Sequence, residues 1–228
     1  MSSATLRVPA QDRRQQILEL ATRLFARRGY QGTTTRQIAE QAGVNEAIIF
    51  RHFPSKEHLY WAVIEHQIGR HGGREKMRRA LEAEGGDAEV LTALAERLLR
   101  RDTTLSRLLL FTALENHKLS HRFFRTHVAQ YYEVLAAYVR RGIAAGRFRA
   151  VDPLLAARGF LGMVVYHFLI QELYGGKRYQ DFDRGKVCRT LAGIWLAGMQ
   201  PAASAHHGAR QGNGRNGKAG SESKKRQR

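Results

Sequence analysis

The chain has 228 residues, 43% of them hydrophobic, and a formal net charge of +18. That apolar content over that length supports one or two domains with real cores, and the charge favours a polyanionic partner, nucleic acid before an anionic membrane surface. The single cysteine, Cys188, excludes an internal disulfide and fits a reducing cytosol.

The start, from Met1 to Gln11, has no apolar segment of the signal-peptide kind and reads as a loose polar arm. From Asp12 to Arg28, Ile17, Leu18, Ala21, Leu24 and Phe25 recur at three- and four-residue spacing, one stripe of an amphipathic helix ended by Gly29. Thr34 followed by Gln37 matches a capping box and opens a short helix to Gln41, with Ile38, Ala39 and Ala42 on its apolar side. Gly43 supplies a turn, and Asn45 caps a second short helix that runs to about His52. Pro54 breaks it. Ser55 then caps a fourth helix from Lys56 to about Arg70, whose buried stripe is Leu59, Tyr60, Val63 and Ile64.

Gly72-Gly73 and Gly85-Gly86 punctuate a basic stretch, Arg74 to Arg79. The remainder reads as helix: Ala88 to Arg101, Thr104 to Lys118, about His121 to Ala145, and Pro153 to about Tyr174, the last opened by Asp152-Pro153. A final helix covers about Phe182 to Met199. The apolar run from Phe160 to Ile170 is shorter than the about 20 residues that span a bilayer, so the reading is a soluble cytoplasmic protein with no membrane partner. After Pro201 no large apolar residue remains, and seven basic residues stand against one acidic, so the tail reads as disordered and basic.

The stretch from Thr34 to Tyr60, TTRQIAEQAGVNEAIIFRHFPSKEHLY, has the helix lengths and turn of a helix-turn-helix. In that motif the second helix enters the major groove while the first crosses the backbone. Ile38, Ala39, Val44, Ile49 and Phe53 would hold the pair together, leaving Arg36, Asn45, Glu46, Arg51 and His52 free to face DNA. No phosphate-binding glycine loop or nucleophile elbow is present, which argues against an enzyme. His117 and His121 have a spacing that metals use, but no cysteine supports them, so neither metal nor cofactor is expected.

Residues 12–64 resemble the DNA-binding domain of the TetR family of bacterial regulators, through ILELATRLFARRGYQGTTTRQIAEQAGV and the IIFRHFPSKEHLY that follows. The helical remainder is similar to that family's second domain in helix count, order and length. The resemblance implies an all-α protein with a three-helix DNA-binding domain at 12–55, a connecting helix at 56–72 and a ligand-binding and dimerisation domain at 73–200, flanked by the polar arm at 1–11 and the basic tail at 201–228.

It also implies roles. Thr35 and Arg36 would reach phosphates, Asn45, Glu46 and Ala47 would face base edges, Arg51 would read guanine, and His52 and Lys56 would bind the backbone, with Arg13 and Arg14 adding contacts from the arm. Phe50 stands where the family commonly has Tyr, and Ile48 where Thr is frequent, so two hydroxyl contacts to DNA are gone.

In the second domain, Phe111, Glu115, Phe124, Tyr131, Met163, Tyr166, His167 and Gln171 are the candidates for an effector pocket. Gly159, Gly162, Val187, Leu191, Ile194 and Trp195, on the last two helices, are the candidates for a four-helix dimer interface. The expected function is a ligand-responsive homodimeric repressor of a near-palindromic operator, with a small-molecule effector. The alternative is a low-specificity architectural DNA-binding protein that relies on the basic tail.

Overall fold

The computed structural model describes residues 10–70, 73–115 and 117–201. The basic tail and most of the arm lie outside the described residues. Ala10 and Gln11, placed in the arm by the sequence reading, already belong to the first helix.

Among the described residues every regular element is helical. α1 spans Ala10–Arg28, α2 Thr35–Ala42, α3 Glu46–His52 and α4 Lys56–Arg70. α5 (Gly73–Glu82), α6 (Asp87–Leu99), α7 (Thr103–Glu115), α8 (His117–Phe123), α9 (Ala129–Ala144), α10 (Pro153–Phe168) and α11 (Arg184–Met199) follow. One π-helical turn, Phe124–Val128, fuses α8 to α9, and another, Leu169–Leu173, extends α10.

The local signals work as physical devices. Thr34 and Gln37 close a reciprocal capping box at α2. Asp152 accepts from the Leu154 and Leu155 N–H groups at 2.8 and 2.9 Å, and Pro153 follows as the first helical residue. Ser55 Oγ accepts from the His58 N–H at 3.2 Å. α5 is the element the sequence reading missed. Its buried side is only Met77 and Leu81, too short a stripe to stand out between two glycine pairs. Ion pairs of Glu75 with Arg78 and Arg79, and of Arg78 with Glu82, at i,i+3 and i,i+4 spacing, support it instead. The break expected near Ser120 is also absent, since α8 runs through it.

Two hydrophobic clusters divide the molecule. The first is built from α1 to α4 and includes Ile17, Phe25, Ile38, Ile49, Phe53 and Tyr60. Leu108 of α7 and Leu119 of α8 are inserted into it from the second half of the chain. The second cluster joins α5, α6, α9, α10 and α11 around Leu94, Leu135, Phe160, Val164 and Trp195. α4, expected as a connector, therefore packs as part of the first core.

The segment Pro153–Leu173 forms a continuous 21-residue helical rod, long and apolar enough by length and composition to cross a membrane. This corrects the shorter count made from the run around Phe160. Here one stripe of that rod, Ala157, Phe160, Leu161, Val164 and Phe168, is buried in the second core.

Candidate nucleic-acid interface

α2 and α3 meet at a turn whose geometry only glycine takes readily. Gly43 has φ 65°, a left-handed conformation that costs a side-chain-bearing residue about 1 kcal/mol or more. Its N–H bonds the Glu40 carbonyl at 3.2 Å, and the Val44 N–H bonds Ala39 at 3.0 Å, so the last carbonyls of α2 are satisfied. Asn45 Oδ1 then accepts the Ile48 N–H at 3.1 Å and starts α3.

Ile49 and Phe53 pin α3 to the core, and Ile38, Ala39 and Ala42 pin α2. What remains outward on α3 is Asn45, Ala47, Phe50 and Arg51, with His52 half-buried at its end. Phe50 is 44% exposed, an aromatic ring held out on a short polar helix. Arg36 on α2 is exposed and pairs with Glu40, at 3.1 Å. A surface i,i+4 pair of that kind is worth about 0.3–0.5 kcal/mol, which a phosphate can readily displace.

Two of the expected contacts look inward. Glu46 accepts a short hydrogen bond from the Thr35 hydroxyl, linking the first turns of α2 and α3. Both helix N-termini favour that carboxylate. Lys56 Nζ lies 4.3 Å from the centroid of the Tyr30 ring; burial draws its pKa down while the Glu115 carboxylate draws it up. Arg14 stacks over Phe53 at 4.9 Å, and Arg13 donates to Gln16 at 2.8 Å.

This geometry is a helix-turn-helix with its second helix free on one side. The description "Bacterial regulatory proteins, tetR family" matches residues 17–63, and that of the AefR-like transcriptional repressor C-terminal domain matches residues 88–197. The chain belongs to the TetR family. It is 30% identical over 166 residues to the HTH-type transcriptional repressor AcnR of Corynebacterium diphtheriae, covering 72% of this chain and 83% of the relative. Its fold matches that of AibR, solved in complex with isovaleryl coenzyme A and operator DNA, with a TM-score of 0.62 at 24% identity over 80% of this chain and 97% of that one. It also matches FadR of Bacillus subtilis, solved in complex with stearoyl-CoA, with a TM-score of 0.63 at 20% identity over 82% and 99% of the two chains. The protein is a DNA-binding transcriptional regulator with the helix-turn-helix of its family.

In this TetR-family chain the two cores are joined by polar contacts as well as by Leu108 and Leu119. The buried Tyr60 hydroxyl donates to the Leu108 carbonyl at 2.8 Å and lies 2.8 Å from Thr112 Oγ1. Burial pushes its pKa up to about 12. Arg107 Nε donates to the Ala26 carbonyl at 2.6 Å. Glu115 accepts the Gln31 N–H at 2.9 Å and presses on Gly29, where a Cβ would stand 2.2 Å from its carboxylate oxygen. On the other side of α4, Arg122 stacks over Trp61 at 4.0 Å, and His127 lies against the same indole at 5.7 Å.

Beside this junction lies an apolar chamber of about 220 Å³. Its wall includes Ile68 of α4, Met77 of α5, Leu105 and Leu109 of α7, Tyr131 of α9 and Val164 of α10. Of the eight candidate effector residues only Tyr131 lines it. Glu115 serves the junction, Phe111 lies under Arg107, and Met163 packs against the second core. Phe124 and Tyr166 are exposed, Tyr166 by 65%, because the buried stripe of α10 lies on its other side. His167 and Gln171 border a separate recess with Phe182 and Arg184. A larger, more open groove between α1, α4 and α7 is lined by Arg23, Arg27, Arg70 and Arg107.

The dimer candidates also separate. Trp195 Nε1 donates to the Ala156 carbonyl at 2.9 Å, and its ring meets Phe148 and Phe160 edge-to-face. Val187 is buried in the same cluster, so both serve this chain's own core, with Leu191 half-buried. Gly159 and Gly162 are exposed, and a Cβ at either would meet nothing within 4 Å. Leu155 is 64% and Ile194 57% exposed on the same two helices.

Among the described residues no group of three or more His, Cys, Asp or Glu is placed to hold a metal. The side chain of His117 lies outside the described residues.

Proposed function

We propose that this regulator is a homodimeric repressor that a small apolar molecule releases from a near-palindromic operator. The observation that carries the reading is the double duty of α7. Leu105 and Leu109 line the chamber, while Leu108 and Thr112, on the same helix, hold Tyr60 of α4. A ligand that wedges α7 away from its resting position would move α4 with it, and the DNA-binding domain with α4. A coupling of about 1–3 kcal/mol between the two sites is enough for a 5- to 150-fold change in operator affinity.

On the DNA side, Ala47 and Arg51 would read base edges, Asn45 would do so while capping α3, and Arg36 and His52 would hold phosphates. Thr35 and Glu46 would reach DNA only by giving up their mutual bond. Lys56 would act from the junction rather than on the backbone. Dimerisation would use the outward stripe Leu155, Gly159, Gly162 and Tyr166 with Ile194. The small residues let a second copy's helices approach closely, and an isologous contact of this kind places the two recognition helices about 34–36 Å apart or a multiple of it.

AibR and FadR were solved with acyl-coenzyme A compounds, which makes apolar acyl compounds the first effectors to test. Operator release by a panel of fatty acids, alcohols and acyl-coenzyme A thioesters should be compared between the native chain and Leu109→Trp, which fills the chamber. Retained DNA binding with lost release supports the reading. Equal release from both would remove the chamber from the mechanism.

A further inference from the structure

The chamber is apolar on most of its wall, and the cation among its described lining residues is Arg101. Arg101 sits in the link between α6 and α7, half-buried, and borders the chamber together with Tyr131. Its guanidinium lies 6.0 Å from the Tyr131 ring centroid. Among the described residues no carboxylate pairs with it. Its sequence neighbour Arg100 pairs with Glu96 at 3.3 Å, and Arg147 pairs with Asp87 at 3.1 Å. Asp102 borders the same chamber, its Oδ1 accepting the Thr104 N–H at 2.8 Å at the start of α7, and its negative charge opposes the entry of an anion that Arg101 favours. The charge felt from α6 is Arg97, of the same sign.

Burial opposes the charged form of Arg101, with Tyr131 favouring it and Arg97 opposing it. A guanidinium cannot escape by losing its proton in a protein. A half-buried cation with no carboxylate paired to it among the described residues carries part of a desolvation penalty that an incoming anion would relieve. Tyr131 stays a neutral phenol, its pKa raised by burial, and can donate its hydroxyl alongside the guanidinium.

We propose that Arg101 anchors the carboxylate of a free, short- to medium-chain fatty acid, whose hydrocarbon lies along Leu105, Leu109, Leu161 and Val164. The inference rests on the chamber being the effector site. The fork of donors on Arg fits a carboxylate bidentately. An alcohol of the same length would leave the guanidinium without an anionic partner. The volume of about 220 Å³ is close to that of about seven water molecules, room for a chain of about eight carbons.

The test is calorimetric titration of the full chain with octanoate, octanol and octanoyl-coenzyme A, repeated on Arg101→Met and Arg101→Lys. Octanoate should bind at least tenfold more tightly than octanol. Arg101→Met should lose at least tenfold of that affinity, and Arg101→Lys should recover part of it. Should Arg101→Met fail to fold, the acid-to-alcohol ratio on the native chain and the Arg101→Lys variant decide. Octanol binding as well as octanoate, or the thioester binding where the acid does not, overturns the proposal, as does an Arg101→Met affinity equal to the native one. Octanoate binding without operator release leaves the anchor standing and removes the induction reading. Release by a non-acidic ligand, blocked in Leu109→Trp, keeps the induction reading and removes the anchor.

Discussion

The Tyr60 hydroxyl and the Leu108 carbonyl, 48 residues apart in sequence and 2.8 Å apart in space, tie the DNA-binding core to the second domain. Removing the hydroxyl leaves the Leu108 carbonyl its bond from Thr112, at 2.7 Å, but takes one buried donor away. Tyr60→Phe should therefore cost about 1–2 kcal/mol of stability, measured by urea unfolding, and weaken the response of operator binding to effector more than operator binding itself.

The same residue gives a pH dependence. Its folded-state pKa, about 12, lies above the ordinary tyrosine value of 10.0. The unfolded chain thus loses this proton first as pH rises. The stabilisation from that shift is fully present below about pH 10 and is lost between about 10 and 12. Unfolding midpoints taken across that range should fall more steeply for the native chain than for Tyr60→Phe. Parallel curves would contradict the burial of this phenol.

Gly29 and Glu115 form the second tie. Gly29 has φ 74° and touches the Glu115 carboxylate. Gly29→Ala meets two penalties, backbone strain of about 1 kcal/mol or more and the clash. Glu115→Ala in the same chain should relieve the clash and leave the strain. A double-mutant cycle should return a coupling of about 0.5–3 kcal/mol, and additive effects would mean that the contact is slack.

Asn45 has a structural duty and a proposed reading duty, and these separate by substitution. Asn45→Asp keeps a good cap for α3, so thermal stability should hold within about 0.5 kcal/mol, while the added negative charge beside DNA lowers operator affinity. Asn45→Ala should lose about 1 kcal/mol of stability as well. Unchanged operator binding by Asn45→Asp would place this residue away from the DNA.

Gly159 lies open on α10, so a larger side chain fits the isolated chain. Gly159→Leu should raise helix stability by up to about 1 kcal/mol and yet convert the dimer to monomer in sedimentation, because the bulk keeps a second copy away. A dimer that survives this change would move the interface to another face.

The helix-turn-helix was legible because its signals are local. The Thr34–Gln37 box, the Gly43 turn and the Asn45 cap each lie within a few residues of what they fix. The duties of Glu46 and Glu115 were not legible, since their partners lie 11 and 84 residues away. Nor was the chamber. α10 is apolar on most of its surface, so composition alone cannot separate its core stripe from its outward stripe, and Tyr166 and Trp195 fall on the sides opposite to those expected. The π turns at 124–128 and 169–173 each break the regular helical period, so a count at 3.6 residues per turn misplaces faces beyond them. α5 escaped because its apolar face is only Met77 and Leu81, too short a stripe to stand out beside the charged residues around it.

The most direct test of a sequence-specific dimeric regulator is selection of binding sites from random duplex DNA by the full chain and by a chain ending at Pro201, at low and physiological salt. A sequence-specific dimer should yield a palindromic consensus with fixed half-site spacing, recovered with or without the tail and at both salt concentrations. Enrichment without consensus, collapsing with salt and with removal of the tail, would contradict it and would leave the architectural role.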